Sequence, residues 1–266
     1  MARVLPLGLV ALLAAAVVAG CGGVSLDPVA EAATKSADAG SFRFAFELSL
    51  GAGGSQAAAL TGDGAYDAAA SRVQARVGVG GETGELIMDM SSGTPAVYVK
   101  PPAGQGALPP GKTWGKVDLA DAAKSGGFDL GPLTQGQLDP TKLLDVLRKA
   151  GDSTTVGKET IDGTETTHYR VTVDPAKAFA QKQQSKQEQE QARQALQFLG
   201  GSSVPVDVWV GDDGLLRRVG VQIGGKDALF AVGMRLDFSD YGSGVTVDLP
   251  PADQVAPELK LPAKTP

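Results

Sequence analysis

The sequence predicts an α+β domain: one strongly curved antiparallel sheet of roughly nine to eleven strands, with two or three helices covering its concave face. Three observations lead there. Alternating apolar and polar residues recur from Ser41 to Leu249, the period-two mark of strands with one buried face. Turn signals such as Asp162-Gly163 and Asp213-Gly214 join successive runs, which suits antiparallel neighbours. Helix-like stretches enter at only a few points, so they fit better across the sheet than between its strands. A two-sheet sandwich satisfies the same alternation and is the competing architecture.

The chain opens on its one strongly apolar run. Leu5 to Ala19 carry no charge, Arg3 precedes them, and the run closes Val18-Ala19-Gly20-Cys21. A basic start, a short apolar stretch and small residues before a cut site predict a signal peptide over residues 1–20, too short for a lasting span. Cys21 is the single cysteine. The closing tetrapeptide resembles the lipobox of bacterial lipoproteins, with Val18 where leucine is commoner. That resemblance implies a diacylated Cys21 thiol, removal of the preceding peptide and acylation of the new amine. Two or three acyl chains hold a protein firmly where one does not. An ordinary secretory signal with an incidental cysteine is the plainer alternative.

Residues 21–27 form a short tether, and residues 28–249 a single domain. Pro28 to Ala39 predict a first helix, with proline in its first turn and Val29, Ala32, Ala33 and Ala37 on one side. The strand Ser41 to Leu50 alternates cleanly. Softer alternation follows in Ala57–Ala69, Arg72–Val79, Glu85–Met90 and Pro95–Lys100, with Gly62-Asp63-Gly64, Gly80-Gly81 and Ser91-Ser92-Gly93 read as turns. Pro101 to Gly136 has little periodicity, with a short helical candidate at Leu119–Lys124. Asp139 caps and Pro140 starts a helix over Thr141–Ala150. A hairpin about Asp162-Gly163 joins Thr154–Ile161 to Thr164–Asp174. A long helix is expected from Pro175 to about Leu199, although Gln181 to Gln191 holds no apolar residue. Strands at Val204–Val210, Leu215–Ile223 and Phe230–Phe238 complete the body. Val245–Leu249 is a candidate edge, and the Pro-rich tail 250–266 is expected to be loose.

Composition narrows the function. The chain carries 24 Lys and Arg against 30 Asp and Glu, a net charge of −6; loss of Arg3 with the signal makes it −7. No region holds a basic stripe, which excludes nucleic acid as a partner. An acylated Cys21 leaves no thiol for a disulfide, a nucleophile or a sulfur metal site. No cofactor is implied. The single histidine, His168, falls on the polar parity of its strand with Arg170 and reads as an exposed structural residue. The serines offer no Gly-x-Ser-x-Gly elbow. Asp212-Asp213-Gly214 and Gly62-Asp63-Gly64 lack the ligand spacing of a calcium loop and read as hairpin turns. Trp209 shares the polar parity of Asp207.

Several segments, taken in order, carry a resemblance over most of residues 28–249. They are the tetrapeptide ending at Cys21, the helix before the Phe42–Leu50 strand, and Trp114-Gly-Lys-Val-Asp118. The Asp139–Ala150 helix, Tyr169-Arg-Val-Thr-Val-Asp174, Val204-Pro-Val-Asp-Val-Trp-Val210 and Asp213-Gly214-Leu-Leu-Arg217 follow. Together they resemble the mycobacterial lipoproteins that carry lipids and lipoglycans across the cell envelope, whose half-barrel is akin to the periplasmic lipoprotein carriers of Gram-negative bacteria. The polar Gln181–Gln191 insertion departs from that pattern. The resemblance implies an apolar cavity for acyl chains between sheet and helices, a monomer on the outer face of the cytoplasmic membrane, and a possible envelope transporter as partner. By inward parity the candidate lining is Phe44, Phe46 and Leu48 from the first strand, with Val97 and Val99. Leu143 and Leu147 come from the middle helix. Val171, Val208, Val221, Val232 and Met234 come from the later strands. Trp114 either covers the cavity mouth or serves as a packing anchor. The function expected is binding and transfer of an acylated lipid or glycolipid without bond-making chemistry. The alternative is an envelope binding, sensory or structural partner module with a filled core.

Overall fold

The computed structural model describes residues 27–52, 55–79, 81–92, 95–103, 108–117, 147, 153–173, 204–224 and 231–256. Helix α1 spans Pro28–Asp38. The strands are β1 (Phe42–Ala52), β2 (Ser55–Asp67), β3 (Arg72–Val79), β4 (Glu82–Asp89), β5 (Ala96–Lys100), β6 (Trp114–Val117), β7 (Ser153–Ile161), β8 (Thr164–Val173), β9 (Val204–Gly211), β10 (Leu216–Ile223), β11 (Ala231–Ser239) and β12 (Val255–Ala256). All twelve lie in one sheet, in the order β12-β6-β5-β4-β3-β2-β1-β11-β10-β9-β8-β7. Neighbours are antiparallel except for the short parallel pair β12–β6. The chain builds one wing outward from β1 to β6, begins again at the far edge with β7, and returns to the centre, where β11 pairs with β1.

This corrects the expected fold. The sheet is open, with β12 and β7 as its edges, and is not the strongly curved half-barrel of nine to eleven strands. Among the described residues α1 is the one complete α-helix, not two or three over a concave face. The helix expected at Thr141–Ala150 is represented by Leu147 alone, helical and buried; Leu119–Lys124 and Pro175–Leu199 lie outside the described residues. Alternation reports which side chains share a face, but the hydrogen-bond register and twist that govern curvature leave no such mark in it. Three local expectations change too. Gly62-Asp63-Gly64 is not a turn but the middle of β2. Trp114–Val117 is a strand in a stretch that lacked periodicity. Val245–Leu249 forms no strand, whereas Val255–Ala256, placed in the loose tail, pairs with Trp114 and Gly115.

Local chemistry explains α1. Asp27 Oδ1 accepts the Val29 N–H at 2.9 Å and Pro28 occupies the first turn, where a missing N–H costs nothing. The other Asp27 oxygen accepts the Ser153 N–H at 2.6 Å, so one carboxylate fixes the helix start to the start of β7. Val29, Ala32, Ala33 and Ser36 form the buried side, spaced for one helical face. At the other end Lys35 Nζ donates to Asp213 O and Ser36 Oγ accepts the Leu216 N–H at 2.9 Å. The Tyr241 hydroxyl donates to Leu216 O at 3.0 Å; its pKa is raised, mainly by burial.

Phe42 centres an aromatic cluster, with ring centroids 5.3 Å from Tyr66, 5.6 Å from Phe238 and 5.7 Å from Tyr241. The two β2 glycines have a packing reason. The Phe44 and Phe46 rings lie across their neighbour strand, so a Cβ on Gly64 would come within 2.6 Å of Phe44, and one on Gly62 within 2.4 Å of Phe46. Each would also meet a β3 carbonyl at 2.3 Å. Gly64→Ala should therefore destabilise the domain by about 1–3 kcal/mol, against the usual gain from removing a glycine. A urea midpoint at or above that of the parent would refute this packing.

Beyond β11 the chain crosses to the other side of the sheet. Val247 packs there with Ile87 and Trp114 and is latched by Asp67. That buried carboxylate accepts the Val247 N–H and the Ala70 N–H, both at 3.1 Å, while Arg72 donates to Val247 O at 3.2 Å. Burial alone would raise the Asp67 pKa, but backbone N–H bonds from Val247, Ala70 and Ala69 and the Arg72 charge outweigh it, and the pKa is lowered. A depressed carboxylate stabilises the fold above its unfolded pKa of about 3.9 and loses that contribution as pH falls through the folded value. Asp67→Ala should cost about 1–3 kcal/mol at neutral pH and flatten the acid limb of stability, read from urea melts at pH 7 and pH 3.

Candidate functional site: one apolar sheet face

The register of the ladders gathers the apolar side chains into rows on one face. From β6 to β1 the first row reads Val117, Val97, Met88, Val73, Tyr66, Phe42. The second runs Val99, Leu86, Ala75, Gly64, Phe44, Phe238. On the other wing a third row passes through Gly62, Phe46, Leu236, Val219, Val208 and Tyr169. A fourth follows with Leu60, Leu48, Met234, Val221, Val206 and Val171. A last, shorter row holds Leu50, Val232 and Ile223. No charged side chain is among the residues named; Glu82 and Lys158, of the same parity, lie at the rim of the face.

Ten of the twelve expected lining residues, all those on strands, share this face. Burial divides them. Val171 and Val208 are fully buried, Val97 is 4% exposed, and Leu147 lies with them in the main core cluster against Val29, Ala32 and Ala33. Phe44, Phe46, Leu48, Val99, Val221, Val232 and Met234 are half-buried, and Leu50 at the strand end is 38% exposed. Leu143 and Cys21 lie outside the described residues. Leu236 and Ile223 share the face although absent from the expected lining; the alternation that placed Met234 and Val221 already carried them. Trp114 points the other way. It sits on the opposite face, packed with Ile87 and Val247, so its place is that of an anchor beneath the C-terminal crossing and not that of a mouth residue on the apolar face.

The opposite face carries the charges. Arg76 binds Asp63 at 2.6 Å, Lys100 binds Glu85 at 2.8 Å, and Arg235 binds Glu47 at 2.9 Å. Such exposed pairs contribute about 0–1 kcal/mol each. His168 was expected to be exposed and is instead buried, at 6%. Its Nδ1 lies 3.1 Å from Glu159 Oε1 and its Nε2 2.8 Å from Asp207 Oδ1, while its ring stacks on Trp209 at 4.2 Å. The Trp209 indole N–H donates to Glu159 at 3.1 Å, and Arg170 holds Asp207 at 2.9 Å. Parity gave the correct face, but a large ring on the neighbouring strand covers the imidazole, and period two says nothing of cross-strand stacking. With both nitrogens against carboxylates, this histidine ties β7, β8 and β9 together.

Among the described residues no group of three or more His, Cys, Asp or Glu is placed to hold a metal ion. A cleft of about 250 Å³ lies between Arg43, Asp63, Ala65, Gln74 and Arg76, on the charged face.

No protein-family model matches the chain. A Streptomyces griseus protein, an uncharacterized 31.2 kDa protein from the rplA–rplJ intergenic region, is 30% identical over 146 residues, which are 53% of this chain and 47% of that protein. The chain thus spans about half the length of that relative. Among solved structures, LprF from Mycobacterium bovis is similar at 16% identity and a TM-score of 0.47, over 84% of this chain and 95% of its own. The lipoprotein LppX from Mycobacterium tuberculosis is similar at 17% identity and a TM-score of 0.42, over 84% and 100%. Likenesses of this strength assign neither a family nor a ligand.

His168→Phe should lower stability by about 1–3 kcal/mol, because the imidazole contacts with Glu159 and Asp207 are lost at a buried position, yet leave any ligand of the apolar face bound as before. A urea melt paired with a lipid-binding titration checks both halves of the statement.

Proposed function

We propose that this chain is a lipidated envelope protein, tethered through Cys21 to the outer face of the cytoplasmic membrane, which binds an acylated lipid or glycolipid and passes it on without making or breaking bonds. The observation that carries the reading is the apolar face, five rows deep at β1, with charge of the same parity only at its rim, at Glu82 and Lys158. Each buried methylene of a guest contributes about 0.8 kcal/mol, so an acyl chain of ordinary length needs no polar hook. Glycine and alanine at Gly62, Gly64 and Ala75 leave the floor shallow where the Phe44 and Phe46 rings lie flat, a surface against which a flexible chain can lie. The signal and lipobox pattern ending at Cys21 supplies the tether. A monomer working beside an envelope transporter fits the reading.

The burial gradient places the guest. We assign the acyl chain to the half-buried set Phe44, Phe46, Leu48, Val99, Val221, Val232 and Met234, and assign Val97, Leu147, Val171 and Val208 to the permanent core. Their full burial favours a second reading for that portion of the face, a filled core with no cargo.

Mass spectrometry of lipids extracted from the soluble protein lacking residues 1–21 tests the proposal. Stoichiometric acylated lipid is the expected result, and a lipid-free protein that also fails to take up a fluorescent fatty acid overturns it. Val232→Trp should reduce that uptake at least about tenfold, the equivalent of 1.4 kcal/mol, with an unchanged circular dichroism spectrum. Unchanged affinity in the folded variant would remove Val232 from the site.

A further inference from the structure

The strands give the sheet two unlike ends. At one end lie the α1 C-terminus, the β7–β8 and β9–β10 turns and the end of β11. Asp38, Asp162, Asp212, Asp213 and Asp240 are all exposed there. The opposite end holds the β1–β2 connection, whose sequence Gly51-Ala-Gly-Gly-Ser55 is uncharged, and the outermost apolar row, where Leu50 is 38% exposed beside Val232 and Ile223.

The tether leaves near this second end. Asp27 is held at the start of β7 by its bond to Ser153. Ser153 stands opposite Val171, in the row of Leu48 and Met234, one row short of Leu50 and Val232. From Asp27 to Cys21 there are six residues, which span roughly 20 Å at most when extended.

From these placements we infer that the end of the sheet bearing Leu50, Val232 and Ile223 docks on the bilayer that holds the anchor, with the aspartate-bearing turns pointing away. Three independent features agree. The short tether exits close to that end. Exposed Leu50 is there beside half-buried Val232 and Ile223, placed to enter the interface. Asp38, Asp162 and Asp212, which an anionic lipid surface repels, are at the opposite pole, where Asp213 and Asp240 are paired with Arg217 and Arg43. At the docking end the exposed carboxylate is Glu82 in the β3–β4 turn. The inference rests on the proposed acyl anchor and apolar site, and it adds to them the route of loading: an acyl chain enters along the strands from the membrane side and need not cross water.

The test uses the mature acylated protein on vesicles of phosphatidylethanolamine and phosphatidylglycerol containing a nitroxide-labelled lipid. With Cys21 acylated, a cysteine introduced as Leu50→Cys or Asp240→Cys is the sole thiol available for an environment-sensitive fluorophore. The probe at position 50 should be quenched several-fold more strongly than the probe at position 240. Equal quenching, or stronger quenching at 240, overturns the docking orientation and leaves the lipid-binding reading intact. Failure of the chain to attach to vesicles at all overturns the anchor and the orientation with it.

Discussion

The structure depends on the pairing of β1 with β11. That ladder runs from Arg43 opposite Ser239 to Gly51 opposite Ala231 without a shift, and it joins the wing built by the first part of the chain to the wing built by the last. A slip of one residue would turn every side chain of one wing to the other face. Phe44 would then no longer meet Phe238, and the apolar surface would break in the middle of the sheet. Register here does for function what a catalytic constellation does in an enzyme: it decides which groups face the same space.

A division of labour between the two faces follows from that constraint. One face collects the large aliphatic and aromatic side chains, closed off beside α1 and less covered toward the ends of β1 and β11. The other takes the ion pairs, the His168–Trp209 stack and the C-terminal crossing latched by Asp67. Among the described residues most strongly directional partners are on the second face; on the first they occur where α1 meets the sheet. Directional partners hold strands in place, whereas a face without them can accept a guest without leaving a polar group unsatisfied.

Much of this was readable beforehand. Period two in Phe42–Leu50, Val204–Val210 and Phe230–Phe238 named the inward side chains, and Pro28 with the small apolar positions after it marked the helix. The rest was hidden for physical reasons. Gly62 and Gly64 look like turn residues because glycine suits turns, yet they sit mid-strand because rings from β1 occupy the volume of their missing side chains. His168 looked exposed because alternation assigns a face but is blind to a neighbour strand's indole. The β12–β6 pairing is two residues long and parallel, too brief to leave a pattern. Curvature, set by backbone twist and bulges, had no signature to read.

The central seam also has a consequence for how the molecule is made. Its two strands are separated by nearly the whole body of the chain, so the ribosome delivers β1 long before β11 exists. Until then the first wing has an unpaired inner border, a row of free amide and carbonyl groups open to wrong partners. Closing a loop of this size is slow. The last long strand to emerge is the one that turns two half-sheets into a single surface, and a chain cut short before it would leave its newborn wings with nothing to join.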